Sequence, residues 1–181
     1  MRKLYFITFA NTKYMNCDRI IEQAREFNVF DYIINWNELI ISEFFDNHKE
    51  WFNSEINFGR FLWKPYIILK TMEKMNNDDI MVYSDTGMHL NKNGIKKFYD
   101  YLEYMKNKDI LVFSTSEKYT SQHYVKIDAV MEYNPMFYDN LDIMNYAGII
   151  IIKNTNQSYK LIKDWLNLCE KLSLFRQFNF Y

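Results

Sequence analysis

NFGRFLWKPYIILKTMEKMNNDDIMVYSDTGMHLN, residues 57–91, decides the fold. It reads as a loop, a helix opened by a proline, a tight turn, a buried strand, and a carboxylate at that strand's end. Pro65 suits the first turn of a helix, since it has no backbone N–H to leave unpaired there. Ile68, Met72 and Met75 then recur at i, i+4 and i+7, with Lys70, Glu73 and Lys74 off that stripe. Asn76-Asn77-Asp78-Asp79 breaks the helix. Ile80-Met81-Val82-Tyr83 is apolar on both faces, as a central parallel strand must be. Asp85 follows at once, with Gly87 two residues on. Ligands of open α/β sheets bind outside the carboxyl ends of the strands. An acid here is placed for chemistry.

On the amino-terminal side, Leu4 to Ala10 is a short apolar run rich in β-formers and reads as the first strand. Residues 16–27 place Ile20, Ile21, Ala24 and Phe27 on one stripe with Asp18, Arg19, Glu22 and Arg25 around it, an amphipathic helix. Val29 to Trp36 is strand-like again, so strand, helix and strand make a βαβ unit and imply a parallel sheet. Residues 37–52 carry Leu39, Ile40, Phe44 and Phe45 across a break at Asp46-Asn47-His48, which predicts two short helices.

On the carboxyl-terminal side, Asn93-Gly94 marks a turn. Ile95, Phe98, Tyr99, Leu102 and Met105 form a helical stripe, and Asp109 to Ser114 has the look of Asp79 to Ser84. Residues 115–124 are polar, a loop at the sheet's carboxyl edge. Residues 125–133 suggest a short helix that Asn134-Pro135 ends. Tyr146 to Ile152 is another buried strand. The last helix runs over 157–172 with Ile162, Trp165, Leu166, Cys169 and Leu172 inward, and residues 175–181 have no clear partner. With no repeat or linker, the expectation is one α/β domain over 1–181 with a mainly parallel central sheet flanked by helices.

Composition excludes some classes. Of 181 residues, 49% are hydrophobic and 25% charged, which fits a globular chain and not a disordered one. The net charge of −1 offers no basic excess to displace counterions, so no nucleic-acid partner is expected. Cys17 and Cys169 lie far apart without a metal or redox spacing, so both read as structural thiols in a reducing, cytoplasmic setting. The apolar run after Met1-Arg2-Lys3 is short and lacks a cleavage site, against a signal peptide. No run reaches the ~18–20 apolar residues that span a bilayer.

Four features carry candidate chemistry. An aspartate at a strand end before a permissive backbone, Asp85-Thr86-Gly87, can hold a divalent cation or a ribose hydroxyl; the bland alternative is a loop cap. The same tripeptide in aspartic proteases belongs to all-β chains, which this is not. Trp63-Lys64-Pro65 puts a cation at a helix N-terminus, a place that favours anions such as a diphosphate, or else a solvated first-turn lysine. Lys126 and Asp128 flank the carboxyl-edge loop, one suited to phosphate and the other to a base, or form a charged pair on an exposed helix. His48, His89 and His123 have no ligand spacing, and no P-loop, HExxH, GxSxG or GxGxxG occurs.

Together these pieces resemble the short nucleotide-sugar-dependent glycosyltransferases of GT-A type found in large DNA viruses and bacterial surface-polysaccharide loci. The resemblance runs through Gly59, Phe61-Leu62-Trp63-Lys64-Pro65-Tyr66-Ile67-Ile68, Asp79-Ile80, Tyr83-Ser84-Asp85-Thr86-Gly87 and Asn91. It continues in Val125-Lys126-Ile127-Asp128, Ala147-Gly148-Ile149-Ile150 and Trp165. It implies a single Rossmann-like GT-A domain that transfers a sugar from a UDP- or GDP-linked donor to a glycan or glycoconjugate hydroxyl. Thr8, Phe9 and Ala10 would approach the nucleotide, with Trp63, Lys64, Thr86, Gly87 and Lys126 completing the donor site. Asp85 would touch Mn²⁺ or Mg²⁺, or ribose, and Asp128 would serve as base. Two departures stand out. Asp85-Thr86-Gly87 lacks the second carboxylate of a D-x-D motif, and no His-Arg-His-Asp-Gln-like segment precedes Tyr181. They leave a second expectation, a truncated module that binds nucleotide sugar without turnover.

Overall fold

The computed structural model describes residues 2–13, 16–52, 61–114 and 145–174, the side chains of 50, 51 and 172–174 apart. Among these, five strands form one sheet. β1 (Leu4–Phe9) lies between β2 (Tyr32–Trp36) and β3 (Ile80–Ser84), parallel to both. β5 (Asn145–Lys153) runs antiparallel to β3 on one side and to β4 (Ile110–Ser114) on the other. The order is β2-β1-β3-β5-β4, so β5 alone is reversed. The expected α/β class with a Rossmann-like, mainly parallel sheet is the one observed. The reversal of β5 is new, because a buried apolar run fixes a strand's place but not its direction.

Six helices are described: α1 (Asp18–Phe27), α2 (Ser42–Asn47), α3 (Lys49–Phe52), α4 (Trp63–Met72), α5 (Ile95–Tyr104) and α6 (Asn156–Leu174). Alternation along β1 sorts them by face. Tyr5, Ile7 and Phe9 point to a core with Ile67, Ile68 and Met72 of α4 and Ile162 of α6. Phe6 and Ala10 point to the opposite core, with Ile20, Ala24 and Phe27 of α1 and Phe98 of α5. Both faces of the sheet are covered, and every residue of β3 is buried, as its uninterrupted apolar run requires.

Some sequence readings need correction. α4 begins at Trp63, two residues before Pro65, and is buried around most of its circumference instead of along one stripe. It has the sheet's core on one side and packs against α6 as well, so little of it remains for solvent. β4 resembles β3 in sequence but pairs only with β5 among the described residues, and Val112 is exposed. Asn93-Gly94 lies in a single 3₁₀ turn that runs straight into α5, whose Tyr99 is exposed and not inward. The loop and helix expected over 115–133 lie outside the described residues.

The sheet's amino edge is tied by polar groups with partners. The buried Asp79 carboxylate accepts the backbone N–H of Lys3 at 2.7 Å and of Asn76 at 2.9 Å. Asn154 donates its side-chain N–H groups to the carbonyls of Met72, the last residue of α4, and of Met75 and Asn76 after it. Buried Lys153 pairs with Asp109 at 3.1 Å and donates to the Met105 carbonyl at the end of α5. No helix among the described residues is long and apolar enough to cross a membrane.

Candidate functional site

From β1 the chain passes through α1, on one face, to β2. It returns through α4, on the other face, to β3 on β1's far side. The strand order therefore reverses between β1 and β3. Such a switch point is where doubly wound sheets take their ligands. Thr8-Phe9-Ala10 and Asp85-Thr86-Gly87, separate in sequence, meet at this point.

Asp85 continues the ladder past β3, its N–H donating to the Gly148 carbonyl of β5 at 2.8 Å. Gly148 matters because a Cβ there would lie 2.4 Å from the Tyr146 ring, which folds back over it and reaches Met88 Sδ at 3.5 Å. Lys64, in the first turn of α4, places Nζ 3.0 Å from Asp85 Oδ1 and donates to the Ala147 carbonyl at 3.0 Å. The ammonium also lies over the Tyr83 ring, 4.8 Å from its centroid, and the Tyr83 hydroxyl donates to the same Asp85 oxygen.

Lys64 is only 4% exposed, so it is no solvated first-turn lysine. Burial pulls its ammonium below the usual lysine value, and Asp85 opposes that shift. Burial also pushes the Tyr83 phenol well above its usual value, with the Asp85 charge adding to the effect, so it stays protonated and donates. A cation in a helix's first turn runs against the helix dipole; Asp85 offsets that cost. The carboxylate itself keeps 35% of its side chain exposed, and its Oδ2 has no partner among the described residues.

The remaining candidates fall into place around this pair. Thr8 is fully buried with Oγ1 unpartnered, Phe9 stacks on Trp63 at 3.9 Å, and the Ala10 N–H donates to the Trp36 carbonyl at 3.0 Å. Trp63 is buried and its indole N–H also lacks a partner, as does Asn35 Oδ1, opposite Thr8 in the ladder. Around Gly87 a Cβ would meet nothing within 4 Å. Phe61, which leads into α4, adopts φ 67°, a left-handed conformation that costs a residue with a Cβ roughly 1–2 kcal/mol. Lys126 and Asp128 lie outside the described residues.

Sequence reasoning missed the groups that hold the loop after Asp85. Arg19 of α1 donates to the carbonyls of Thr86 at 2.5 Å and Met88 at 2.8 Å, and lies 2.9 Å from His89 Nδ1. Gln23, one turn on, accepts the Leu90 N–H at 3.1 Å. Glu38, after β2, accepts the backbone N–H and the hydroxyl of Thr12 in the loop after β1. The available signal was the i, i+4 spacing of Arg19 and Gln23 in a βαβ helix, whose first turns lie beside the strands' carboxyl ends.

Among the described residues, the side chains at this point offer a divalent cation a poor fit. Magnesium-like ions take near-octahedral oxygen sets, often one or two carboxylates with water and phosphate. Among the described residues no cluster of three or more His, Cys, Asp or Glu side chains is gathered. Asp85 is a single carboxylate with one oxygen already held by an ammonium and a phenol.

No protein-family model and no curated protein matches the chain. Among solved structures it is similar in course to mouse xyloside xylosyltransferase 1 in its apo form, at 10% sequence identity and a TM-score of 0.48, over 95% of this chain and 74% of that one.

Proposed function

We propose that the chain is a nucleotide-sugar-dependent glycosyltransferase, moving a sugar from a UDP- or GDP-linked donor to a hydroxyl of a glycan or glycoconjugate. The observation that supports this is the ion pair between Lys64 and Asp85 at the β1/β3 switch point. The two halves of the W-K-P and D-x-G pattern, about twenty residues apart in sequence, form one contacting unit there. The end of β1 would underlie the nucleotide, and Asp85 would take a donor group on its unpartnered oxygen. The open space at Gly87 would admit the diphosphate beside the exposed Arg19 guanidinium.

In the transfer, a bond forms between the acceptor oxygen and the anomeric carbon. The bond from that carbon to the diphosphate oxygen breaks, the diphosphate leaves with the electron pair, and the acceptor proton passes to a base. The resemblance gives that last role to Asp128. Fixed positive charge near the leaving group stabilises the transition state without reorganising when the bond breaks.

The test is donor cleavage. UDP-glucose, UDP-N-acetylglucosamine and GDP-mannose are each incubated with the protein, and free UDP or GDP is measured beside a thermal-shift assay. Slow release from one donor, lost in Asp85→Asn, is the expected result. A thermal shift without release would favour the module that binds without turnover. No shift with any donor would overturn both readings.

A further inference from the structure

Lys64 is deeper than its place in a first turn suggests. Its Nζ has Asp85 Oδ1 and the Ala147 carbonyl within 3.0 Å, Tyr83 beneath it, and almost no contact with solvent. It therefore reaches a ligand only through Asp85. Asp85 in turn offers one oxygen outward and keeps the other on the ammonium and the phenol.

We infer that Asp85 receives the donor as a hydrogen-bond acceptor for a sugar-type hydroxyl, with Lys64 as its built-in counter-charge, so that donor binding needs no divalent cation at this carboxylate. The inference rests on the glycosyltransferase reading and deepens it. A cation on Oδ2 would share one carboxylate with the buried ammonium, which holds Oδ1 at 3.0 Å, and be repelled by it. A hydroxyl has no such conflict, because it donates a proton to an oxygen whose charge Lys64 and Tyr83 already hold in place, and a charged acceptor makes the stronger hydrogen bond. Arg19, anchored on the carbonyls either side of Gly87, supplies exposed positive charge for the diphosphate from a different element.

The hydroxyl could come from the ribose or from the transferred sugar. Asp85→Asn separates the two. If the ribose supplies it, the variant weakens UDP and UDP-glucose alike; if the sugar does, only UDP-glucose weakens. Because Asp85→Asn also removes the partner of Lys64, the double variant Asp85→Asn/Lys64→Met, neutral on both sides, is measured alongside.

The experiment titrates UDP-glucose and GDP-mannose into the wild-type chain by calorimetry, once in EDTA and once in Mn²⁺, and then into Lys64→Met. Wild-type affinity for the bound donor is expected to agree within about twofold between the two conditions. Lys64→Met, which removes the repelling charge and leaves only the Tyr83 hydroxyl on Oδ1, is expected to gain about tenfold or more from Mn²⁺. Wild-type binding seen only with Mn²⁺, or Mn²⁺ uptake by the wild type that Asp85→Asn abolishes, would overturn the inference and leave the glycosyltransferase reading standing. Absence of donor binding in both conditions would overturn the two together.

Discussion

The two edges of the sheet are built by opposite rules. At the amino edge Asp79, Lys153 and Asn154 all have their partners, and each ties a strand to a neighbouring backbone. At the carboxyl edge a buried ammonium faces a half-open carboxylate, and three buried side-chain atoms without partners among the described residues, Thr8 Oγ1, Asn35 Oδ1 and Trp63 Nε1, lie toward that end. Buried polar groups are normally satisfied, so a concentration of unsatisfied ones calls for a cause. The amino edge holds the sheet together. The carboxyl edge leaves polar atoms unused among the described residues, which is what the proposed donor site would draw on.

A hollow of about 690 Å³ tests this contrast, because it opens at the amino edge, lined by residues of the β4 and α6 approaches. Three of the four lysines that line it are already engaged: Lys106 with Glu103, Lys153 with Asp109 and Lys160 with Asp164. Space alone does not make it the better site. A ligand that used those three lysines would compete with existing ion pairs, whereas among the described residues Asp85 Oδ2 has none to lose.

The contrast can be broken by mutation, starting with the largest effect. Asp79→Ala strips two backbone N–H groups of their acceptor and should cost about 2–4 kcal/mol in urea unfolding, with donor affinity unchanged. Weakened donor binding at equal foldedness would show that the two edges are not separate in role.

The next effect is one of pH. The folded Lys64 value lies below the ordinary 10.5, so in the window beneath 10.5 the unfolded chain binds more protons and stability should rise with pH. Tyr83 acts in reverse above its ordinary 10.0, where the folded chain keeps a proton the unfolded chain has lost and stability should fall. Urea midpoints against pH should show both trends in the wild type and only the fall in Lys64→Met. A rise that survives in the variant would remove Lys64 as its source.

Arg19→Ala should move stability by less than about 1 kcal/mol, since the guanidinium is exposed and the freed carbonyls can reach water. It should weaken donor binding about tenfold. Unchanged affinity would mean that the loop after Asp85 is held without Arg19.

Thr8→Val should be the mildest change. It replaces an unpartnered buried hydroxyl with a methyl of similar shape and should raise stability by up to about 1 kcal/mol. A loss of stability would show that Oγ1 is satisfied in the folded chain after all.

Much of this could be read from sequence, for physical reasons that differ along the chain. β3 and Asp85 were legible because four apolar residues ending in an acid leave few other structures open. α1 was legible from its stripe, and all four of its stripe residues are buried. The direction of β5 was not, because antiparallel and parallel pairing ask for the same side chains in a buried strand. The burial of Lys64 was not legible, because sequence places it in a first turn but does not reveal a carboxylate 3.0 Å away on another element. Arg19 was overlooked for the same reason: its contacts are to carbonyls, which every residue has, in a loop 67 positions away.

The most direct measurement is hydrogen exchange with and without a bound nucleotide sugar. If the donor lies at the β1/β3 switch point, new protection should appear over residues 8–12 and 85–90, with residues 106–110 and 153–161 unaffected. Protection confined to the amino-edge hollow, with the Asp85 loop unchanged, would contradict the account.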